Sequence, residues 1–174
     1  MPTLTPITPA HAALYKQARL LALADNPSAF GSTYARESQL TDADWLTRCN
    51  SLDNITRTAF LALEGEPPNQ TPCGLVACFR DPADPTHAEV ISMWVAPTHR
   101  RTGLSRRLLD TVREWAETQS ITNLHLKVVS NNQPAIAFYH HYGFTFTGRS
   151  SPYPNDPRFY DLEMHLPLPA PRTP

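Results

Sequence analysis

The sequence predicts a single mixed α/β domain, and three observations carry that prediction. Its 174 residues suffice for one well-buried core and not comfortably for two. Helical apolar spacing dominates the first third, and short β-rich runs bounded by Gly and Pro clusters follow it. The last part alternates strand and helix, which requires a crossover connection within one sheet.

Taken in order, Leu14, Ala18, Leu21 and Ala22 recur at helical spacing behind Thr8-Pro9, a cap followed by a first-turn proline. Asn26-Pro27 ends that helix. A second helix starts near Ser32 or Thr33, or near Thr41-Asp42, and carries Trp45 and Leu46 inward. Ile55 to Leu63 reads as a strand, Glu64 to Thr71 as a turn-rich break, and Cys73 to Phe79 as the next strand. After the break at Asp81 to Thr86, Ala88 to Val95 (AEVISMWV) is nearly all apolar, the pattern of a central strand buried on both faces. Pro97 ends it.

A helix from about Gly103 to Thr118 follows. Leu104, Leu108, Leu109, Val112, Trp115 and Ala116 form its apolar stripe; Arg106, Arg107, Asp110, Arg113 and Glu117 face away. Ile121 to Val129 is a strand. Asn132 caps a short helix with Pro134 in its first turn and Gly143 as its stop. Phe144 to Thr147 and Phe159 to Leu166 are the final strands, with the SSPYPNDP segment between them a loop. The domain therefore spans 1–166, and 167–174 is a Pro-rich tail. No internal repeat is present.

Composition narrows the function classes. Net charge is -1, so no global field draws the chain to nucleic acid or to a lipid surface. No apolar run reaches the length of a membrane helix, and the first residues lack a basic segment followed by an apolar one. Cys49, Cys73 and Cys78 are odd in number and unpaired in spacing, as expected of buried reduced thiols in a cytoplasm. Lysine occurs only at Lys16 and Lys127, a bias toward arginine expected of a GC-rich bacterial coding sequence. His140 and His141 are adjacent and diverge on a helix, and His99 and His125 stand in no pattern, so no metal site is read.

The segment RRTGLS, Arg100 to Ser105, sits at the carboxyl end of the central strand, where open sheets bind ligands. A helix start offers unpaired N–H groups and partial positive charge, and Gly103 lets a phosphate approach the main chain. A glycine turn with solvated arginines explains the same residues. A nucleotide P-loop would need GxxxxGK[ST] and a dinucleotide fold GxGxxG; neither is present. A DNA-reading helix would keep its basic face, whereas here Asp110, Glu114 and Glu117 follow within two turns.

With its neighbours, the turn resembles the acyl-CoA pyrophosphate loop of the GNAT superfamily of N-acyltransferases, [Q/R]-x-x-G-x-[G/A]. Val95-Ala-Pro97 leads into Arg100-x-x-Gly103-x-Ser105, where Ser105 replaces the usual Gly or Ala. Asn132-x-x-Ala135-x-x-x-Tyr139-x-x-x-Gly143-Phe144 is similar to the family's second signature at every position. Ala29 to Thr33 also looks like a segment common between the first two helices of bacterial members, and the resemblance covers roughly 10–166. It implies the GNAT fold, a central mixed sheet of about six to seven strands flanked by about four helices.

The resemblance also implies acetyl-CoA as co-substrate, with no metal, and direct transfer to an amine. The pantetheine would lie along Met93, Trp94 and Val95. The phosphates would lie over Arg100, Arg101, Thr102, Gly103, Leu104, Ser105 and Arg106, with Asn132 and Ala135 adding contacts. Tyr139 would protonate the leaving thiolate; core packing also explains it. Glu89, the odd carboxylate in the apolar strand, is a candidate general base, directly or through a water, or a strand-end carboxylate reaching water. The acceptor would lie between Phe30 to Tyr34 and Ser150 to Pro157, against Phe30, Tyr34 and Tyr153. Its identity is open between a small molecule and a protein N-terminus. A non-catalytic acyl-CoA-binding regulatory module is the rival class, and a homodimer is left open.

Overall fold

The computed structural model describes residues 1–169, so the tail expected at 167–174 lies largely outside the described residues. Pro167 still belongs to the last strand, and Leu168 is buried with its N–H donated to Thr122 O at 2.7 Å.

The elements are β1 (Thr3–Pro6), α1 (Ala12–Asp25), α2 (Tyr34–Glu37), α3 (Asp42–Asn50), β2 (Arg57–Glu64), β3 (Thr71–Arg80), β4 (His87–Val95), α4 (Leu104–Thr118), β5 (Asn123–Val129), α5 (Gln133–Tyr142), β6 (Thr145–Pro152) and β7 (Tyr160–Pro167). Seven strands form one sheet in the order β1-β2-β3-β4-β5-β7-β6. Only β4 and β5 run parallel, because α4 is the crossover between them. This is the mixed α/β architecture expected, with five helices, α2 a single turn.

Both proposed starts of the second helix are used. Thr33 caps α2 by accepting from Arg36 N, and Thr41 caps α3 by accepting from Asp44 N. Several expectations need correction. Strand β1 was missed, since four residues bounded by Pro2 and Pro6 are too few to establish a period. Leu21 and Leu46 are 43% exposed rather than inward, while Trp45 is fully buried. Ile55 precedes β2 and is exposed. Strand β6 runs on to Pro152, through residues read as loop, because Ser150, Ser151 and Pro152 pair with Leu162, Asp161 and Tyr160 of β7.

The core has two layers, one on each face of the sheet. All six stripe residues of α4 are buried against one face, with Ala88, Val90, Leu124, Leu126 and Met164. Helix α1 packs Ala18, Ala22 and Leu23 on the other face, against Leu61, Leu75, Ala77 and Trp94. The strand carrying both Val90 and Trp94 therefore changes face. A bulge causes this: Ala77 pairs with Ile91 and Leu75 with Trp94, so Ser92 and Met93 both oppose Val76. Ser92 adopts φ 57, and the extra residue turns Trp94 toward α1 and Val95 toward α4.

Candidate active site

Beyond the bulge, β4 and β5 part. They pair only over His87–Val90 and Asn123–Leu126, so β4 is not buried on both faces along its length, and Ile91 is 39% exposed. Main-chain groups of β4 facing the gap have no strand partner there. The opening is a cleft of about 980 Å³ between the ends of β4 and β5, the start of α4, and α5.

Most of the expected site residues line it. Met93, Trp94 and Val95 form the β4 wall, and Arg100, Arg101, Gly103, Ser105 and Arg106 the mouth. Asn132, Ala135 and Tyr139 form the wall opposite, from α5. Gly103 caps α4 at φ 86, a conformation that disfavours a side chain, and nothing lies within 4 Å of where a Cβ would stand. The space over the first N–H groups of α4 is therefore open.

Two loop residues do other work. Leu104 is buried in the core, and Thr102 donates its hydroxyl to His99 O at 2.7 Å, closing the turn. The arginines also divide. Arg100 is ion-paired to Asp25 and donates to Val95 O at 3.1 Å, so its side chain ties the loop to α1. Arg107 donates to Pro2 O at 3.0 Å and anchors the start of the chain. Arg106 lies over the Tyr142 ring at 5.4 Å, and Arg101 is exposed at φ 63; these two line the mouth with charge.

Tyr139 is buried among Phe138, Phe144 and the α4 layer, yet lines the cleft. Burial pushes its phenol well above the ordinary range, so it stays protonated at neutral pH. Asn132 accepts from Ala135 N at 3.3 Å, a working cap as well as a lining residue. Asp25 was missed. It closes α1 inside the cleft and accepts from both Trp94 Nε1, at 3.0 Å, and Arg100. Its only sequence signal was the helix stop beside it.

Glu89 does not line the cleft. It stands in an adjoining hollow of about 450 Å³ with Phe79, His87, His125, Lys127 and Glu163, and Lys127 borders both spaces. Burial raises its carboxyl above the usual range, against Lys127 and with Glu163, Asp161 and Asp81. The acceptor residues separate as well. Phe30 is buried and lines the cleft, but Tyr153 is a buried brace whose hydroxyl donates to Phe30 O at 2.7 Å. Asn155 Nδ2 donates to the same carbonyl at 2.9 Å, so the two loops expected to flank an acceptor are bonded to each other. Tyr34 begins α2, is exposed, and does not line the cleft.

Beneath Phe30 lies a buried charge network. Glu37, 2% exposed, accepts from Arg19 at 2.9 and 3.2 Å and from Arg48 at 2.8 Å. Arg19 also lies over the Phe30 ring at 5.0 Å and donates to Ser92 Oγ at 3.2 Å, at the bulge itself.

Comparison with known proteins follows the same outline. The chain aligns with a GNAT-family acetyltransferase from Streptococcus pneumoniae at TM-score 0.78 and 20% identity, covering 97% of this chain and 100% of that one. It aligns with yncA from Salmonella typhimurium, solved with its cofactor acetyl-CoA, at TM-score 0.72 and 18% identity over 100% and 98% of the two chains. A spermidine N-acetyltransferase from Vibrio cholerae, in complex with CoA and spermine, aligns at TM-score 0.75 and 16% identity over 96% and 95%. Among curated proteins no sequence match is found. At these identities the structures speak for the fold. The model of the acetyltransferase (GNAT) family matches residues 20–144, most of the chain and both motifs up to Phe144. The chain belongs to the GNAT acetyltransferase family.

Proposed function

We propose that the protein transfers an acetyl group from acetyl-CoA directly to an amine. One observation carries the reading: a helix start left open over Gly103 faces a strand gap whose far wall holds a buried, protonated tyrosine. The residues present fit the donor. The N–H groups at the start of α4, the Ser105 hydroxyl, and Arg101 and Arg106 suit a pyrophosphate. The unpartnered edge of β4 at Ser92 to Val95 suits a pantetheine amide, and an N–H there can polarise a carbonyl.

When bound, acetyl-CoA supplies an electrophilic thioester carbonyl. Glu89, directly or through a water, would take a proton from the acceptor's ammonium so that the free amine can attack, and its raised pKa makes it a better acceptor for that proton. As the new C–N bond forms and the C–S bond breaks, Tyr139 would deliver its phenolic proton to sulfur, and the proton shed by the nitrogen as it becomes an amide would restore the phenol, directly or through water. No cysteine is needed; Cys49, Cys73 and Cys78 are all buried and unpaired.

CoA at 100 times its dissociation constant should stabilise the fold by about 2.7 kcal/mol, a rise in Tm of roughly 5–10 °C. Ser105→Tyr should erase that shift by filling the space beside the helix start, while Ser105→Gly keeps it. Equal shifts in wild type and Ser105→Tyr would place the phosphates elsewhere. Acetyl-CoA consumption over pooled amines tests the reaction itself: CoA binding with no thiol released by any amine would favour the binding-module reading. Once an acceptor is found, Glu89→Gln should lower turnover and regain part of it at high pH, where free amine is abundant. Wild-type rates at every pH would remove Glu89 from the mechanism.

A further inference from the structure

Ser92 carries the strain of the β4 bulge. Its φ of 57 lies in the left-handed region, which a serine occupies at a cost and keeps only where its surroundings hold it. The strand ladders do not hold it. Pairing with β3 skips from Ala77–Ile91 to Leu75–Trp94, and pairing with β5 ends at Val90–Leu126. Side chains of α1 reach the bulge instead, from either side of Met93. Arg19 Nη1 donates to Ser92 Oγ at 3.2 Å, and Asp25 accepts from Trp94 Nε1 at 3.0 Å.

The first of these contacts is built into the interior. Arg19 is buried, and all three of its nitrogens donate: Nε and Nη2 to Glu37, Nη1 to Ser92. Glu37 is fastened in turn by Arg48 of α3. The Phe30 ring covers the guanidinium at 5.0 Å. A planar fork held along one edge by a carboxylate and over one face by an aromatic ring has little freedom left. Its third nitrogen is therefore a fixed donor, aimed at a residue of the cleft wall.

Stability is a poor reason for such an arrangement. Taking a charged pair out of water costs about as much as the pair returns, and well-packed apolar residues of similar volume often do as well or better. A buried donor that pins a strained main-chain position supplies another reason. The segment it pins is the one whose main-chain groups face the gap between β4 and β5 without a strand partner.

We propose that Arg19 is a positioning residue: acting through Ser92, it fixes the β4 bulge so that the main-chain groups facing the gap keep their aim. The inference rests on the acetyl-transfer reading for what that aim serves, the thioester carbonyl. The hold on the bulge stands on the contacts alone. Misplacing such donors by about 1 Å costs on the order of 10²-fold in rate. The open helix start at Gly103 belongs to another element, α4, and does not depend on Arg19.

Two variants separate positioning from a purely structural role. Arg19→Met with Glu37→Leu removes the donor and leaves no buried charge unpaired, so most of the stability is kept. Ser92→Ala removes only the acceptor and leaves the Arg19–Glu37 pair in place. Cooperative urea unfolding reports that each is folded. In both, amide hydrogen exchange of the free protein should quicken about tenfold or more over Ser92 to Val95, with α4 unchanged. For acetyl transfer, kcat should fall about 10- to 100-fold, while KM for acetyl-CoA changes less than about threefold. Wild-type exchange at the bulge in both variants overturns the hold, whatever the rates do. Quickened exchange with a wild-type kcat overturns the positioning role. A wild type that acetylates no amine overturns acetyl transfer, and the exchange comparison then decides the hold on its own.

Discussion

Tyr139→Phe is expected to lower kcat for acetyl transfer by about 10²–10⁴-fold while changing CoA affinity less than about twofold. The phenol lines the cleft and carries no hydrogen bond to the protein among the described residues, so its proton is free to be donated. Phenylalanine keeps the contacts to Phe138 and Phe144 and removes only that proton. A donor that acts as charge develops on sulfur contributes to the transition state and little to ground-state binding. The sign of the pH dependence follows from burial. The neutral form is favoured, the pKa rises above 10, and wild-type kcat should show no alkaline loss from this group up to about pH 10. Single-turnover rates for both proteins across that range settle the assignment. A wild-type rate in the variant would leave Tyr139 as a packing residue.

The elements legible in the sequence were those whose pattern is local. The α4 stripe is a run of 3.6-residue spacing with no competing signal, and every one of its six apolar positions is buried. Asn132, Pro134 and Gly143 mark the limits of α5 because caps act within one turn. What failed depended on partners far along the chain. Strand β1 exists because β2 offers an edge from Phe60 to Leu63, and the end of β6 exists because β7 returns beside it. Neither can be seen in four residues of sequence.

Site residues divide along the same line. The Arg100 to Ser105 turn and α5 were legible as elements because each is one contiguous motif. The bulge was not: AEVISMWV reads as one uninterrupted strand, and only pairing with β3 places two residues opposite Val76 and turns Trp94 toward α1. Asp25 was hidden for the same reason, since its partners Trp94 and Arg100 lie 69 and 75 residues away. His125 carried no motif, and its place in the hollow comes from a register shared by three strands.

Glu37→Gln is expected to cost about 3–5 kcal/mol of stability, near 10 °C in Tm for a domain of this size. The side chain is almost the same shape, so the loss is electrostatic. Arg19, only 8% exposed, would keep its charge in the interior facing one neutral amide oxygen and an amide NH2 in place of the carboxylate. Replacing both members of the buried pair, Arg19→Met with Glu37→Leu, should recover much of the loss, since then no buried charge is left unpaired. Arg48 is 39% exposed and can turn to solvent. Acid should act on the wild type in the same way. Burial alone would raise the Glu37 pKa, but the hydrogen bonds and charge of Arg19, with Arg48, hold it at about 2 against an ordinary 4.5. A carboxylate depressed in the folded state stabilises above its unfolded pKa, so this contribution is full at neutral pH and disappears as pH falls from about 4.5 to about 2. Glu37→Gln should lack that part of the acid transition. Urea unfolding of both proteins at pH 7 and pH 3 makes the comparison, and a gap between them that does not shrink at the lower pH would show that the network stabilises by packing and not by charge.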